Sequence, residues 1–184
     1  KKEERIGNCL SPYAANKKTN ELYAQVFADV YGIKLMGFRY FNIFGPRQDP
    51  NGPYAAVIPL FVKGIMNKSE VFINGDGEQT RDFTYVENAI QVNVKGMLTE
   101  REEAFKKVYN VAVGEYYSVN HLYKACADYL NSDWKPTHRE PRAGDIRNSL
   151  ADISLAMDLL DYKPVKRFDE GLRETIAYFK EVYS

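Results

Sequence analysis

The sequence has few of the side chains that hold metals or covalent cross-links, since its 184 residues include only two cysteines and two histidines. Cys9 and Cys126 stand far apart and form no CxxC pair, so we expect no disulfide framework. His121 and His138 are scattered as well, and we therefore expect no metal site. The 25 basic and 25 acidic residues give a formal charge of zero, without the basic surplus of a general nucleic-acid-binding protein.

Long apolar stretches are also missing from the sequence. None approaches the roughly 18 residues that a membrane-spanning helix requires. The charged stretch KKEERIGNCLSPY at the N-terminus is not followed by the apolar region of a signal peptide. We therefore expect a cytoplasmic protein with reduced thiols, which has neither a membrane nor a nucleic acid as its partner.

What the sequence does contain is a regular alternation of helix and strand signals. A helix is predicted over 13–31, with Ser11 as its N-cap and Gly32 as the glycine that ends it. The apolar and aromatic stretch 33–42 that follows predicts a buried strand. A helix, a glycine turn and an apolar strand in this order are half of a βαβ unit, and they predict an α/β fold.

The rest of the chain continues this alternation. Helices are predicted at 55–67, 87–98, 119–130, 154–160 and 169–182, strands at 70–74, 81–86 and 108–113, and loops at 45–53 and 135–145. The glycine-rich turn GxGxxG, which holds the phosphates of a dinucleotide in α/β proteins, does not occur. Either the protein binds no dinucleotide, or the half of the fold that carries this turn is absent from the chain.

Tyr13 and Lys17 are the first candidates for catalysis. Four positions apart on a helix, they share one face, so the ammonium can stabilise a phenolate. A phenol titrates near 10, and a base that works near neutral pH needs a downward shift of about 3 units, or roughly 4 kcal/mol. Composition alone gives about one YxxxK match by chance, which leaves an ordinary aromatic–lysine pair as the alternative. The second match, Tyr162 to Lys166, contains Pro164 and should not be helical.

Four longer stretches carry more information than this pair. In order along the chain, they are SPYAANKKTNELYA, RYFNIFGPRQDPNGPYAAVIP, NGDGEQTRDFTYVENA and EPRAGDIRNSLAD. From about Glu4 to the C-terminus, the chain resembles the extended short-chain dehydrogenase/reductase family, and within it the nucleotide-sugar 4-epimerases. In that family a Rossmann domain carries NAD, and a smaller C-terminal α/β domain binds the nucleotide sugar.

The resemblance implies a division of the chain. Residues 1–45 and about 87–114 would be the remainder of the NAD-binding Rossmann domain, and about 46–86 and 115–184 the nucleotide-sugar-binding domain. In this family the glycine-rich turn and the catalytic Ser or Thr precede the tyrosine. The chain is therefore expected to be a C-terminal fragment without the N-terminal glycine-rich half, which alone binds no NAD and has no activity.

The resemblance also assigns the residues at the reacting end of the site. Tyr13 would take the proton from the sugar 4-hydroxyl while hydride passes to NAD. Lys17 would favour the phenolate and bind the nicotinamide ribose. Tyr40, at the end of a buried strand, would lie beside the nicotinamide, with core packing as the alternative.

A larger set is assigned to the substrate by the same resemblance. These residues are Asn42 and the two arginines Arg81 and Arg142 for the phosphates, Asp145 for the uridine ribose, Ala56 and Val57 along the nucleotide, Val71 to Ile73 at the uracil, and Ser149 beside C2 of the sugar. For an isolated arginine, the alternative is a solvated surface position; for Ser149, it is a loop residue turned to solvent. Members restricted to plain hexoses have a tyrosine where this chain has Ser149, so the small serine predicts room for an N-acetyl group.

These assignments predict an NAD-dependent 4-epimerase acting on UDP-N-acetylglucosamine and UDP-N-acetylgalactosamine through a 4-keto intermediate. The alternatives are a UDP-glucuronate epimerase or decarboxylase, a 4,6-dehydratase, or a non-catalytic sugar-nucleotide-binding protein. The resemblance also implies a homodimer, since members of the family commonly dimerise through the helix that bears this tyrosine. The helix over 13–31 is apolar over a wide arc and needs cover on two sides, which agrees with a homodimer of the intact protein.

Overall fold

The structure is a computed structural model that describes residues 1–52, 55–142 and 144–183, and its elements alternate as an α/β fold. The helices in these residues are α1 (Pro12–Tyr31), α2 (Val57–Met66), α3 (Val86–Leu98), α4 (Val119–Tyr129), α5 (Ser154–Leu160) and α6 (Phe168–Tyr183), with a short 3₁₀ helix at Glu102–Ala104. The strands are β1 (Met36–Tyr40), β2 (Ile43–Phe44), β3 (Phe72–Asn74), β4 (Thr80–Arg81), β5 (Thr84–Tyr85), β6 (Lys107–Val111), β7 (Tyr117–Ser118) and β8 (Thr137–Arg139).

The strands pair two by two, and three of the four pairs are parallel. β1 lies beside β6 with Tyr40 opposite Val111, β2 lies beside β5, and β3 lies beside β8. The fourth pair, β4 with β7, is antiparallel. Parallel pairing between strands that helices separate is the arrangement of an α/β fold, which the alternation of elements predicts.

Two predicted strands are shorter than expected. The stretch predicted as one strand over 33–42 forms a strand only at Met36–Tyr40, and Asn42 beyond it has a φ of 38°, in the left-handed region that asparagine tolerates better than most residues. The stretch 81–86 divides into β4 and β5. A third difference is β8, which occupies part of the predicted loop at 135–145 because it pairs in parallel with β3.

The predicted helix ends are confirmed where a side chain makes the cap. Ser11 accepts a hydrogen bond from the Ala14 N–H at 3.1 Å, and Ser118 accepts one from the His121 N–H at 3.1 Å. Gly32 ends α1 with a φ of 66°. These caps satisfy backbone groups that a helix terminus leaves without a partner. The segment from Tyr162 to Lys166 is not helical, as Pro164 predicts.

The buried apolar side chains form two clusters. The larger cluster joins α2, α4 and α6 around Phe44, Leu122 and Phe168, and the smaller one joins β6 and α5 around Tyr109 and Leu160. The predicted division into an NAD-binding and a sugar-binding domain stays a prediction. The clusters add that α5, predicted with the sugar-binding part, packs against β6 of the other part.

Helix α1 has little cover in the described residues. Ala28 is its one buried residue in the described chain. Five large apolar or aromatic residues on it are 45–66% exposed: Leu22, Tyr23, Val26, Phe27 and Val30. An apolar surface of this width is typical of a helix that packs against further protein, and the homodimer stays a prediction. No helix in the described residues is long and apolar enough to cross a membrane.

The turn between β3 and β4 gives a prediction about stability. Gly77 has a φ of 77°, and a Cβ added there would meet Asn120 Oδ1 at 2.0 Å. The Asn120 amide donates to the Asp76 carbonyl at 2.8 Å, so it cannot move away without losing this bond. We expect Gly77→Ala to lower the free energy of unfolding by about 2 kcal/mol.

Urea unfolding followed by circular dichroism measures this loss, and Gly7→Ala is the matched control. A Cβ at Gly7 would meet nothing within 4 Å, and its φ is outside the left-handed range. Equal unfolding midpoints for Gly77→Ala and the parent protein would contradict the prediction.

Candidate functional site

A cavity of about 310 Å³ opens between β2, α2, β3 and β4. Its walls combine an apolar side with a row of polar and charged groups. The lining residues are Asn42, Ile43, Phe44, Ala56, Val57, Ile58, Phe61, Phe72, Ile73, Asn74, Gln79, Arg81, Phe83, Val119, Arg142 and Asp145. An apolar wall with a few polar groups on one side is the usual form of a small-molecule site.

The fold brings seven of the predicted substrate residues to this cavity. They are Asn42, Ala56, Val57, Ile73, Arg81, Arg142 and Asp145. Two of them are guanidinium groups and one is a carboxylate, so the charged lining is positive although the whole chain is neutral. Guanidinium groups in a partly apolar cavity favour an anion with planar or forked oxygen atoms, such as a phosphate.

Arg81 is held in place by three oxygen atoms. Its Nη1 donates to the Thr80 carbonyl at 2.7 Å and to the Ile146 carbonyl at 2.5 Å. Its Nη2 pairs with the carboxylate of Asp145. These contacts hold the guanidinium in one orientation at the wall of the cavity, and Asp145 contributes the negative charge beside it. The motifs predict both residues for one ligand, but they do not predict this contact between them.

Asn42 is positioned by backbone conformation and by one hydrogen bond. It follows β1 in the left-handed conformation, and its Nδ2 donates to the Asp82 carbonyl at 3.0 Å. The Asn42 carbonyl in turn accepts from the Thr84 N–H at 3.2 Å. The end of β1 and the β4–β5 stretch are thereby joined at the wall of the cavity.

A second cavity, also of about 310 Å³, adjoins the first. The two share Asn74, Gln79, Arg142 and Asp145, and Arg147 pairs with Asp76 at 2.7 Å across the second. The hydrogen bond from Arg147 lowers the pKa of Asp76 to about 2. The sequence analysis did not assign Arg147, Asn74 or Gln79. The only feature of the sequence that could have identified them is their position inside the motifs RNSLAD and NGDGEQTRDF.

Two predicted substrate residues lie outside the lining of both cavities. Val71 is buried in the larger core cluster, where its methyl groups pack under Gly64. Ser149 is 6% exposed, so it is not turned to solvent, and its N–H donates to the Thr80 carbonyl at 3.2 Å. The ligand contacts assigned to these two residues stay predictions.

The residues predicted to act in the reaction are Tyr13 and Lys17 on α1 and Tyr40 at the end of β1. The Lys17 ammonium lies 5.5 Å from the centre of the Tyr13 ring, so the two side chains share one helix face as their spacing predicts. Tyr13 is 72% exposed. The Tyr40 hydroxyl donates to Asn93 Oδ1 at 3.0 Å and accepts from Asn93 Nδ2 at 2.8 Å. Asn93, which the sequence analysis did not assign, thus fixes the Tyr40 phenol.

Metal chemistry has no evident site in the residues that the structure describes. They contain no group of three or more His, Cys, Asp and Glu side chains that could hold a metal ion. Cys9 is exposed and Cys126 is buried, and burial raises the pKa of the Cys126 thiol to about 12.

The chain was compared with protein families and with solved structures. The model of the NAD dependent epimerase/dehydratase family matches residues 2–112, which is more than half of the chain. The crystal structure of UDP-glucose 4-epimerase from Thermotoga maritima with UDP-glucose superposes with a TM-score of 0.94 at 35% identity and covers 100% of this chain. UDP-N-acetylglucosamine 4-epimerase from Methanobrevibacter ruminantium M1, in complex with UDP-N-acetylmuramic acid, gives a TM-score of 0.90 at 42% identity over 98% of this chain.

A curated relative agrees with the two structures. The putative UDP-glucose 4-epimerase of Methanocaldococcus jannaschii is 32% identical over 173 residues, or 94% of this chain. The chain spans 54% of that relative, 58% of the Thermotoga protein and 57% of the Methanobrevibacter protein. The chain therefore corresponds to little more than half of the length of these relatives.

The cavity makes a testable prediction about anions. Arg81→Gln removes a cation that the backbone carbonyls hold in place, so we expect inorganic diphosphate to bind about 10- to 100-fold more weakly. Isothermal titration calorimetry measures this affinity. Arg101→Gln is the matched control, because Arg101 also pairs with a carboxylate, that of Asp161, but lines neither cavity. Equal losses in both variants would contradict a specific role for Arg81.

Proposed function

Because the chain belongs to the NAD-dependent epimerase/dehydratase family, we propose that its full-length protein interconverts UDP-hexoses that differ at C4. The preferred pair in this proposal is UDP-N-acetylglucosamine and UDP-N-acetylgalactosamine. The observation that carries the proposal is the cavity. It combines two arginines, an aspartate and an asparagine with an apolar wall, which is the chemistry that a nucleoside diphosphate requires.

In this proposal the cavity residues divide the nucleotide between them. Arg81 and Arg142 bind the diphosphate, and the Asn42 amide donates to one of its oxygens. Asp145 accepts from the ribose hydroxyls, and Ile73 and Val57 contact the uracil. Asp145 pairs with Arg81. A diphosphate would therefore share or replace this carboxylate on the guanidinium, and the freed carboxylate would turn to the ribose.

The residues at the reacting end fit the nicotinamide part of NAD. A phenol and an ammonium on one helix face can bind ribose hydroxyls, and in this proposal the second phenol, at the carboxyl end of β1, lies beside the nicotinamide. Since GxGxxG does not occur in the sequence, the phosphates of NAD need residues from elsewhere, and we propose a preceding glycine-rich half of the Rossmann domain. Bound NAD would accept a hydride from C4 of the sugar and return it.

Within this scheme, Tyr13 moves the proton. Its phenolate would take the proton from the 4-hydroxyl and return it once the keto sugar has turned its other face. Lys17 stabilises the phenolate, and Tyr40 is held by Asn93 at the end of β1. Tyr13 and Lys17 line neither cavity, so the catalytic interpretation is supported by their shared helix face and by the family of the chain.

A first test of the function is product analysis. The full-length protein is incubated with NAD and, separately, UDP-N-acetylglucosamine, UDP-glucose and UDP-glucuronate, and the sugars are identified by NMR. We expect the C4 epimer of the N-acetylated substrate and no net oxidation. A 4-keto-6-deoxy sugar would indicate a dehydratase, and a pentose would indicate a decarboxylase. Binding without any turnover would indicate a non-catalytic sugar-nucleotide-binding protein.

Replacing the proposed base tests the mechanism. Tyr13→Phe keeps the ring and removes the hydroxyl, so we expect kcat to fall about 100-fold or more while UDP affinity stays within twofold. Tyr31→Phe is the control, since Tyr31 is also an exposed tyrosine of α1. Epimerisation near the parent rate in Tyr13→Phe would show that another group is the base.

Ser149 tests the choice of substrate. Its small side chain next to β4, together with the 42% identity to the Methanobrevibacter protein, supports the N-acetylated pair. Ser149→Tyr would fill the proposed acetamido volume, so we expect it to abolish turnover of the N-acetylated pair and to spare UDP-glucose. Ser149→Ala should retain both activities, and thermal unfolding of each variant serves as the control for folding. Loss of both activities, or of neither, in Ser149→Tyr would remove Ser149 as the gate.

A further inference from the structure

Asp82 is a fully buried carboxylate in the middle of the structure, with no exposed surface. Its Oδ1 accepts from the Val113 N–H at 3.1 Å, and its Oδ2 accepts from the N–H groups of Gly114 at 3.1 Å and Ala151 at 3.4 Å. Burial raises the pKa of this carboxyl group, and the three N–H donors act in the opposite direction. Burying a carboxylate costs free energy unless hydrogen-bond donors compensate it, so the Asp82 carboxylate requires these three N–H groups to stay in place.

The three donors come from two separate parts of the chain. Val113 and Gly114 follow β6, whose core is the smaller cluster, and Ala151 follows the stretch that carries Asp145. Asp82 itself stands between β4 and β5, beside the larger cluster. Its carboxylate therefore joins the loop after β6 to the stretch after Asp145, next to Arg81 and Phe83, which line the cavity.

The neighbours of Asp82 are the groups assigned to phosphate. Arg81 precedes it and lines the cavity, and the Asn42 amide donates to its carbonyl at 3.0 Å. The stretch after Asp145 is also attached here, because the Ser149 N–H donates to the Thr80 carbonyl and the Ala151 N–H donates to Asp82. A rotation of residue 82 would thus displace Asn42, the Arg81 guanidinium and the stretch that faces it.

We propose that Asp82 is a positioning residue for the sugar-nucleotide site, which holds Asn42, Arg81 and the stretch 145–151 in the arrangement that receives the diphosphate. The proposal rests on the proposed function for the identity of the ligand. Asp82 touches neither substrate nor cofactor in this account, and it acts through the groups that it fixes. Its loss should weaken binding of UDP much more than it slows the chemical step.

Asn88 supplies a control of the same kind. It is also fully buried, and its Oδ1 accepts from the N–H groups of Val165 at 2.7 Å and Lys166 at 3.2 Å, while its Nδ2 donates to the Lys166 carbonyl at 2.7 Å. It therefore makes three hydrogen bonds to backbone, as Asp82 does. However, it joins α3 to the segment before α6, and neither its sequence neighbours nor its hydrogen-bond partners line a cavity, whereas Arg81, Phe83 and Asn42 beside Asp82 do.

The experiment compares the reciprocal isosteric variants Asp82→Asn and Asn88→Asp in the full-length protein. UDP affinity is measured by calorimetry, kcat and KM by the epimerase assay, and folding by thermal unfolding. We expect both variants to unfold at a lower temperature than the parent. Only Asp82→Asn should bind UDP about tenfold more weakly, with a matching rise in KM and with kcat within about threefold of the parent.

Each other outcome has a defined meaning. If the parent protein does not bind UDP, the proposed function fails. If the parent binds UDP and Asp82→Asn binds it equally well, or Asn88→Asp loses the same affinity, the positioning role of Asp82 is overturned. Asp82→Ser replaces Asp82→Asn if the latter does not fold. Failure of both to fold at 25 °C, while Asn88→Asp folds, would make Asp82 purely structural and would also overturn the proposal.

Discussion

The contacts between β4 and the stretch 145–149 hold the candidate site together. The Thr80 N–H donates to the Arg147 carbonyl at 2.8 Å, the Ser149 N–H returns a bond to the Thr80 carbonyl, and Arg81 adds its bond to the Ile146 carbonyl. Residues about 65 positions apart in sequence are thereby fixed side by side. Because backbone groups make most of these bonds, the wall of the cavity depends on the path of the chain more than on individual side chains.

The parts of the fold that could be predicted from the sequence are those that local interactions determine. The N-termini of α1 and α4 follow from a serine whose side chain accepts from the backbone N–H three residues later. The C-terminus of α1 follows from a glycine in the left-handed region. β8 could not be predicted in this way, because its three residues are extended only through pairing with β3. The left-handed backbone of Asn42 could not be predicted either, because the carbonyl that accepts from its amide belongs to Asp82, 40 residues further along the chain.

In the candidate site, too, the features that depend on local sequence could be predicted and those that depend on distant contacts could not. The shared face of Tyr13 and Lys17 follows from helical spacing alone, and the structure confirms it. The motifs also predict seven residues that line the cavity. They could not predict the pairing of Arg81 with Asp145, or that Val71 and Ser149 lie outside the lining of both cavities, because these depend on packing and contacts that arise only in the folded chain.

The exposure of Tyr13 and Lys17 affects how strongly these two side chains can interact. The attraction between a cation and an anion at a fixed distance grows about fourfold when the effective dielectric constant falls from about 80, as in water, to about 20. Tyr13 is 72% exposed on a helix whose apolar face also lacks cover, so its contact with Lys17 is solvated in this chain. The same layer of protein and cofactor that would cover the apolar residues of α1 would therefore strengthen the Tyr13–Lys17 interaction. If Tyr13 is the base, as proposed, cover for α1 and activation of its phenol would be one physical requirement, and the proposed pair would lie on a helix that has one buried residue in the described chain because further protein covers it.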